Sequence, residues 1–412
     1  MNVHRLDRHG GIAVAVDEAH GRRVVGGTGP AIVSRAATYN PPMPSFDIQV
    51  AGAGIVGKTL ALALSRLGLS VALRAAPSAG ARRDDVRAYA LNAASVALLR
   101  GLKVWDALPA DATTAVHDML VHGDAAGAAL EFSAWEQHVG ELAVITDAAT
   151  LEHELDAALR FAPHVTRVDQ DAPAALVAHC EGRAAATALK GLGAGFVQQP
   201  YGHKAIAARL VASRPHGHVA RQWFRAPDVL ALLPFDRPEP GRSWALVWSL
   251  PDARADALLD ADTAAFEAEL ALATRGEAGE LTLGSERAAW PLLVGSAATW
   301  CGPGWVLVGD AAHVVHPLAG QGLNLGLADV AALVAAIGER ESWRGLGDER
   351  LLRRYVRQRA APTSAMLRIT DGLQRLFAED AAPIRELRNN GLALVNRISP
   401  LKRWLTARAL DS

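Results

Sequence analysis

From residue 46 to residue 73 the chain sets short apolar runs around a longer stretch rich in Ala and Leu. The run Phe46 to Val50 reads as a strand, Lys58 to Leu67 as a helix and Ser70 to Leu73 as a second strand. A different period rules from Ile206 to Leu250. There Val219, Arg221, Trp223 and Arg225 alternate with Ala220, Gln222, Phe224 and Ala226, followed by Leu230 to Leu233 and Trp244 to Trp248. That two-residue repeat predicts an antiparallel sheet. Trp305 to Val308 reads as a short buried strand ahead of a helix that starts near Gly322. The segments Glu349 to Phe377 and Ile384 to Ala409 read as arginine-rich helices, broken by Pro362, Pro383 and Pro400.

The first strand and helix are joined by Gly52-Ala53-Gly54-Ile55-Val56-Gly57. In a strand–turn–helix setting, the first glycine permits the turn, the second lets backbone approach a pyrophosphate, and the third lets helix and strand pack closely. The N–H groups at the helix start then face the phosphates. A carboxylate normally ends the second strand to hold ribose hydroxyls, but here the strand runs into Arg74. An arginine at that place suits a 2′-phosphate, so an NADP-linked dehydrogenase is a rival reading.

The segment Gly309-Asp310-Ala311-Ala312-His313, continuing through Pro317, Gly320, Gln321, Gly322 and Asn324, argues for a flavin instead. Asp310 ends a strand where a carboxylate can accept hydrogen bonds from a polyol such as ribityl. The helix start at Gly320, Gln321, Gly322 and Asn324 offers backbone N–H groups to the N1 and O2 edge of a flavin ring, which becomes anionic on reduction.

Three segments carry a family resemblance that covers nearly everything from residue 46 onward: residues 50 to 64, 85 to 108 and 309 to 329. They resemble the flavin-dependent aromatic hydroxylases of the para-hydroxybenzoate hydroxylase type, and most closely the ubiquinone-biosynthesis hydroxylases. The resemblance implies an α/β fold with a Rossmann-like FAD-binding domain, an interleaved antiparallel-sheet substrate domain and C-terminal helices. It implies that Gly52, Gly54 and Gly57 lie against the FAD pyrophosphate, that Arg87 contacts the cofactor, that Asp310 holds ribityl and that Pro317 through Asn324 flank the ring. Without the resemblance, Arg87 reads as a helix-start arginine paired with Asp84 or Asp85. The implied reaction is monooxygenation: NAD(P)H reduces FAD, O₂ adds at C4a, and one oxygen passes to a phenolic ring, with a polyprenylated phenol as substrate. No general base is named. NAD(P)H visits transiently, because only one GxGxxG stands in a convincing setting.

Arg74, Glu181 in place of the family's Asp before Gly182, and Ala185 and Ala188 in place of a Ser and an Arg depart from the family pattern. They predict weaker FAD retention and motivate a third reading, a catalytically weak flavin-fold partner within a biosynthetic complex.

Composition suits this picture. A chain of 412 residues exceeds what one core usually fills, and 42 basic against 43 acidic residues give no field for nucleic acid. The cofactor domain is assigned to 46–115, 142–194 and 288–345, the substrate domain to 116–141 and 195–287, and the terminal helices to 346–412. Residues 1–45 are expected to be a disordered extension. Cys180 and Cys301 imply no disulfide framework, and a reducing cytoplasm fits. No apolar run reaches the roughly 18 residues of a membrane span. Arg397, Lys402, Arg403, Trp404 and Arg408 suit either a membrane-surface helix or, the preferred reading, a solvated face. His216 with His218, read on one strand face, and His313 with His316, read one helical turn apart, lack a third ligand, so no metal is expected. Trp223, Phe224, Trp244 and Trp248 are candidate substrate-facing aromatics, mostly filling core.

Overall fold

The computed structural model describes residues 14–17, 22–25, 45–75, 85–123, 129–182, 191–315 and 321–378. Residues 1–44 form one unit, of which the antiparallel pair Val14–Asp17 and Arg22–Val25 is described. Residues 45–412 form the other.

In the larger unit, six strands lie in the order Val165–Val168, Val71–Arg74, Phe46–Ala51, Ala174–His179, Trp305–Leu307 and Cys301–Gly302. All neighbours are parallel except the last pair. Ile48, Val50, Val71, Leu73, Leu176, Val306 and Leu307 are buried, as a sheet covered on both faces requires. The helix Ile55–Arg66 packs on it, and inside that helix Lys58 is buried, with Nζ 2.9 Å from Asp156 and 3.6 Å from Glu152. Both carboxylates stand on the helix Ala148–Arg160, so one lysine ties the two helices together.

A second sheet of nine strands is built mainly from Phe196–Ala212, Val219–Arg225, Asp228–Phe235, Ser243–Pro251 and Ala288–Ala297. Its pairings are antiparallel except where Val219–Arg225 meets Asp118–His122. Because neighbours directly across a sheet share a face, the row Trp223, Leu230, Trp248 and Ile206 points one way, and Phe224, Val229, Ser249, Ala205 and Trp290 the other. The first face is sealed by the helices Asp252–Asp260 and Thr263–Thr274, with Ala255, Leu258, Phe266 and Leu270 in its core.

Pro362 lies inside the helix Glu349–Ala378 and does not end it, while Pro383, Pro400 and the basic segment around Trp404 lie outside the described residues. His216 and His218 precede the strand that begins at Val219 and do not share a strand face. His216 Nε2 lies 3.4 Å from Asp236 Oδ1, and His218 has a positive φ of 61°.

The long helix is anchored by a buried ion cluster. Asp329 takes Arg359 Nε at 2.8 Å on one oxygen, and on the other it takes His313 Nε2 at 2.6 Å and the backbone N–H of Gly309 at 3.0 Å. Burial alone would push the Asp329 carboxyl up. The charge and hydrogen bond of His313, then those of Arg359, outweigh burial and hold it below its ordinary value.

Replacing Asp329 with Ala should therefore cost about 3–5 kcal/mol, because it strands the buried Arg359 guanidinium, and chemical denaturation measures the loss. The sign with pH follows from the lowered carboxyl. The cluster's contribution is complete above the unfolded value near 3.8 and is lost as pH falls through the lower folded value, so an Asp329→Asn chain should show a flatter acid-denaturation curve than the unsubstituted one.

Candidate functional site

The three upstream glycines sit at the carboxyl edge of the parallel sheet, and they are not equivalent. Gly52 has φ +106°, and a Cβ there would lie 2.6 Å from the Cys180 backbone. At Gly57 a Cβ would run into the Gly52 carbonyl. These two positions are glycine because the chain itself leaves no room. Gly54 is different: it is exposed, its φ of −79° and ψ of −177° suit any residue, and a Cβ would meet nothing within 4 Å. It caps the helix Ile55–Arg66 without a side-chain hydrogen bond of its own.

The downstream segment folds against this turn. Val56, in the first turn of the helix, fits between Gly309 and Gly326: a Cβ on Gly326 would lie 2.7 Å from Val56 Cγ2, and one on Gly309 would lie 3.3 Å from Val56 Cγ1. Asp310 is exposed beside Gly182, whose added Cβ would stand 3.7 Å from the Asp310 Cβ. His313–Val314 then pairs with Gly295 and Ser296 at the end of Ala288–Ala297. The motif thus leaves the parallel sheet after Leu307 and enters the nine-stranded one within a few residues. His313 is accordingly in a strand and bonded to Asp329, and His316 lies outside the described residues.

The helix Gln321–Gly338 opens as expected, with Gly322 in its first turn. Pro317 and Gly320 lie outside the described residues. The Asn324 side chain has an inward task that spacing did not reveal. Its Oδ1 accepts from the Asn92 N–H at 3.1 Å and the Ser95 hydroxyl at 2.8 Å, and its Nδ2 donates to the Ala90 carbonyl at 2.8 Å. Asn324 therefore clasps the third signature to the middle one, and any contact it makes with a ring falls to its backbone.

Arg87 stands just before the strand Ala88–Leu91 and does not start a helix. It forms a two-pronged pair with Asp85, Nε to Oδ1 at 2.8 Å and Nη2 to Oδ2 at 2.6 Å, and its guanidinium lies 5.6 Å from the Trp290 ring centre and 5.8 Å from that of Tyr89. The pairing with Asp85 is the one that residue spacing offered. Burial, offset in part by Arg87, pushes the Tyr89 phenol up to about 12, so it is protonated at neutral pH.

The large sheet meets these residues through Trp290 and Arg209; Gln222 and Phe224 lie on the same face by register, Phe224 packed with Val121, Leu130 and Val229. Arg209 Nη2 donates to the Arg87 carbonyl at 2.9 Å and to Asp147 Oδ2 at 2.8 Å, and its guanidinium lies 4.1 Å from the Phe235 ring centre. Of the four aromatics singled out in the sequence, only Phe224 is on this side. Trp223, Trp244 and Trp248 are at most 1% exposed and point into the helix-covered core. Trp290 and Arg209 were missed; the two-residue alternation from Ala205 carries the signal for Arg209, but it does not say which parity faces the site.

Arg74 ends its strand among carboxylates, with Nη2 2.5 Å from Glu181 Oε1 and Nε 2.9 Å from Asp171 Oδ1. Ala185 and Ala188 lie outside the described residues.

A family model described as an FAD binding domain matches residues 197–370. Over 395 residues the chain is 32% identical to the 3-demethoxyubiquinol 3-hydroxylase of Escherichia coli (strain K12), spanning 88% of this chain and 98% of that protein. It is 31% identical over 396 residues to the ubiquinone hydroxylase UbiL of Rhodospirillum rubrum, spanning 89% of this chain and 90% of that one. In fold it is similar to PqsL, a probable FAD-dependent monooxygenase from Pseudomonas aeruginosa, with a TM-score of 0.68 at 18% identity over 84% of this chain and 99% of that chain. With a shared fold, and with nearly a third of residues shared along almost the whole length of a bacterial relative, the chain belongs to the family of FAD-dependent aromatic hydroxylases that includes the ubiquinone hydroxylases.

Proposed function

We propose that this protein hydroxylates the aromatic ring of a ubiquinone precursor, using FAD reduced by NAD(P)H and one atom of O₂, the second oxygen atom leaving as water. The observation that carries this reading is Gly54. A residue with ordinary dihedrals, exposed and facing open space has no internal reason to be glycine, and approach of a phosphate to its backbone supplies one. The exposed Asp310 suits the polyol that adjoins the phosphates in the same extended molecule.

The assignments to the cofactor are Gly52, Gly54, Gly57 and the start of helix Ile55–Arg66 for the pyrophosphate, Asp310 for ribityl, Arg87 for a further cofactor contact, and the first turn of Gln321–Gly338 for the ring. When bound, the flavin supplies the two-electron reduction and the activation of O₂. The chain's own residues bind, orient and keep out water. The start of the helix Gln321–Gly338 offers N–H groups to an anionic ring edge, and the half-buried Trp290 beside Arg87 offers an aromatic face to a planar ring. Arg209 braces the Arg87 backbone from the sheet side. The NADP-dehydrogenase reading loses its support, because Arg74 with Glu181 and Asp171 sums to one negative charge, which repels a 2′-phosphate. A lipid tail on the substrate, contact with a membrane surface through the segment around Trp404 and membership of a biosynthetic complex belong to this reading as its outer reach. No helix among the described residues is long and apolar enough to cross a membrane.

The purified chain should take up FAD and turn yellow, and it should oxidise NAD(P)H with formation of a hydroxylated product when a prenylated phenol and O₂ are supplied. A chain that stays colourless in excess FAD sinks the proposal, and one that binds FAD but oxidises no NAD(P)H with any such phenol reduces it to a flavin-fold partner. Gly54→Val should fold with an unchanged melting temperature and lose FAD affinity by about a hundredfold. Gly57→Val should destabilise the apoprotein by about 3 kcal/mol or more through collision with the Gly52 backbone. Equal effects at the two positions would remove the argument from Gly54.

A further inference from the structure

The grip on the adenosine end of the cofactor, which rests on the reading above, is unusual in this chain. In a βαβ dinucleotide unit the second strand ordinarily ends in Asp or Glu, whose carboxylate accepts from the ribose hydroxyls. The backbone here keeps that arrangement, since the Arg74 carbonyl accepts from the Gly52 N–H at 2.8 Å, so the Arg74 side chain departs from the place where an acid is expected. Its charge does not stand alone. Arg74 Nη2 lies 2.5 Å from Glu181 Oε1, and the other Glu181 oxygen lies 3.2 Å from His179 Nδ1.

The positions of the two residues give the pair its meaning. Val71–Arg74 and Ala174–His179 are the neighbours of Phe46–Ala51 on either side, so a bond from Arg74 to Glu181 spans the end of the strand that leads into the glycine turn. A Cβ on Gly52 would come within 2.7 Å of the Glu181 nitrogen, so Glu181 lies directly against that turn. The Glu181 side chain is only 10% exposed, and the hydrogen bond with His179, together with the charge of Arg74, holds its carboxyl below the usual range despite burial. Arg74 Nε is 2.9 Å from Asp171 Oδ1 but is not aligned for a hydrogen bond, so among the described residues this buried N–H has no acceptor. A guanidinium has five N–H groups, more than its two carboxylates take up, and beside an ionised carboxylate it matches a vicinal diol, in which each hydroxyl can both donate and accept. The net charge of Arg74, Glu181 and Asp171 is −1, the same as that of the single acid they replace.

We infer that Arg74 and Glu181 together form the adenosine-ribose grip of this protein, with Glu181 accepting from the ribose hydroxyls, Arg74 donating to them, and each fixing the other. Arg74 is thus a ligand for an unphosphorylated ribose, and the carboxylate lost from the second strand is supplied by the residue two places beyond His179.

The test is titration of the flavin-free full-length chain with FAD, followed by flavin fluorescence, with ADP and adenosine 2′,5′-bisphosphate as competing probes. Arg74→Glu restores the usual acid but places three carboxylates together, and it should weaken FAD binding by about tenfold or more. Glu181→Gln, which preserves shape, should weaken FAD binding and let adenosine 2′,5′-bisphosphate compete, because Arg74 is then uncompensated. The exchange Arg74→Glu with Glu181→Arg should recover much of the affinity. Tighter FAD binding by Arg74→Glu, or a Glu181→Gln chain with unaltered affinity for FAD and for both probes, overturns the inference while leaving the flavin reading intact. Failure of the unsubstituted chain to bind FAD overturns the flavin reading first, so the two failures are told apart by the unsubstituted protein alone.

Discussion

The interlocking of Val56 with Gly309 and Gly326 is the contact on which the site depends. The two signature segments are separated by some 250 residues of chain, and no covalent or local preference brings them together. What does so is one branched side chain seated where two facing residues have none, with the next methyl already too close at 2.7 Å. Because packed contacts do not deform continuously, this one limits how the helix start at Ile55 and the exposed Asp310 can shift relative to each other. Around it lie polar clasps, Asp329 to Gly309 and Asn324 to Asn92, which hold the same segments.

The glycine turn, the alternation of the large sheet and the strand before Gly309 were legible because each is a local pattern with a known period or conformational need. The division of labour among the three glycines was not, because only the surroundings distinguish a glycine crowded by backbone from one that faces open space. Nor was the handedness of the sheet. The alternation from Val219 to Ala226 separates two sets of residues cleanly, yet a period of two carries no sign, and the three tryptophans belong to the set that faces the covering helices.

Residues acting over long sequence separations were the least visible. Arg74 looked like a lone positive charge because its partner stands 107 positions away, just beyond the end of a strand not adjacent to its own. Asn324 looked like part of a ring-facing helix start because nothing in its neighbourhood announces that Asn92 and Ser95 will arrive beside it. Pro362 looked like a break, but tertiary packing of the long helix, including Arg359 on Asp329 and Tyr355 on the Leu307 carbonyl, holds the helix through it. In each case the missing information was a contact, and contacts between distant residues are what folding adds to a sequence.

The strand Ala288–Ala297 has a double membership. Near its start Trp290 stands over Arg87, and near its end Gly295 and Ser296 are laddered to the dipeptide that follows the Asp310 turn. At about 3.3 Å per residue, Trp290 and the ladder to the Asp310 turn are joined by a stiff bar of roughly 16 Å. Parts mounted on one bar cannot be adjusted separately. Exchange of the Trp290 side chain will leave the Asp310 turn in register, whereas an insertion or deletion within that strand would move both at once.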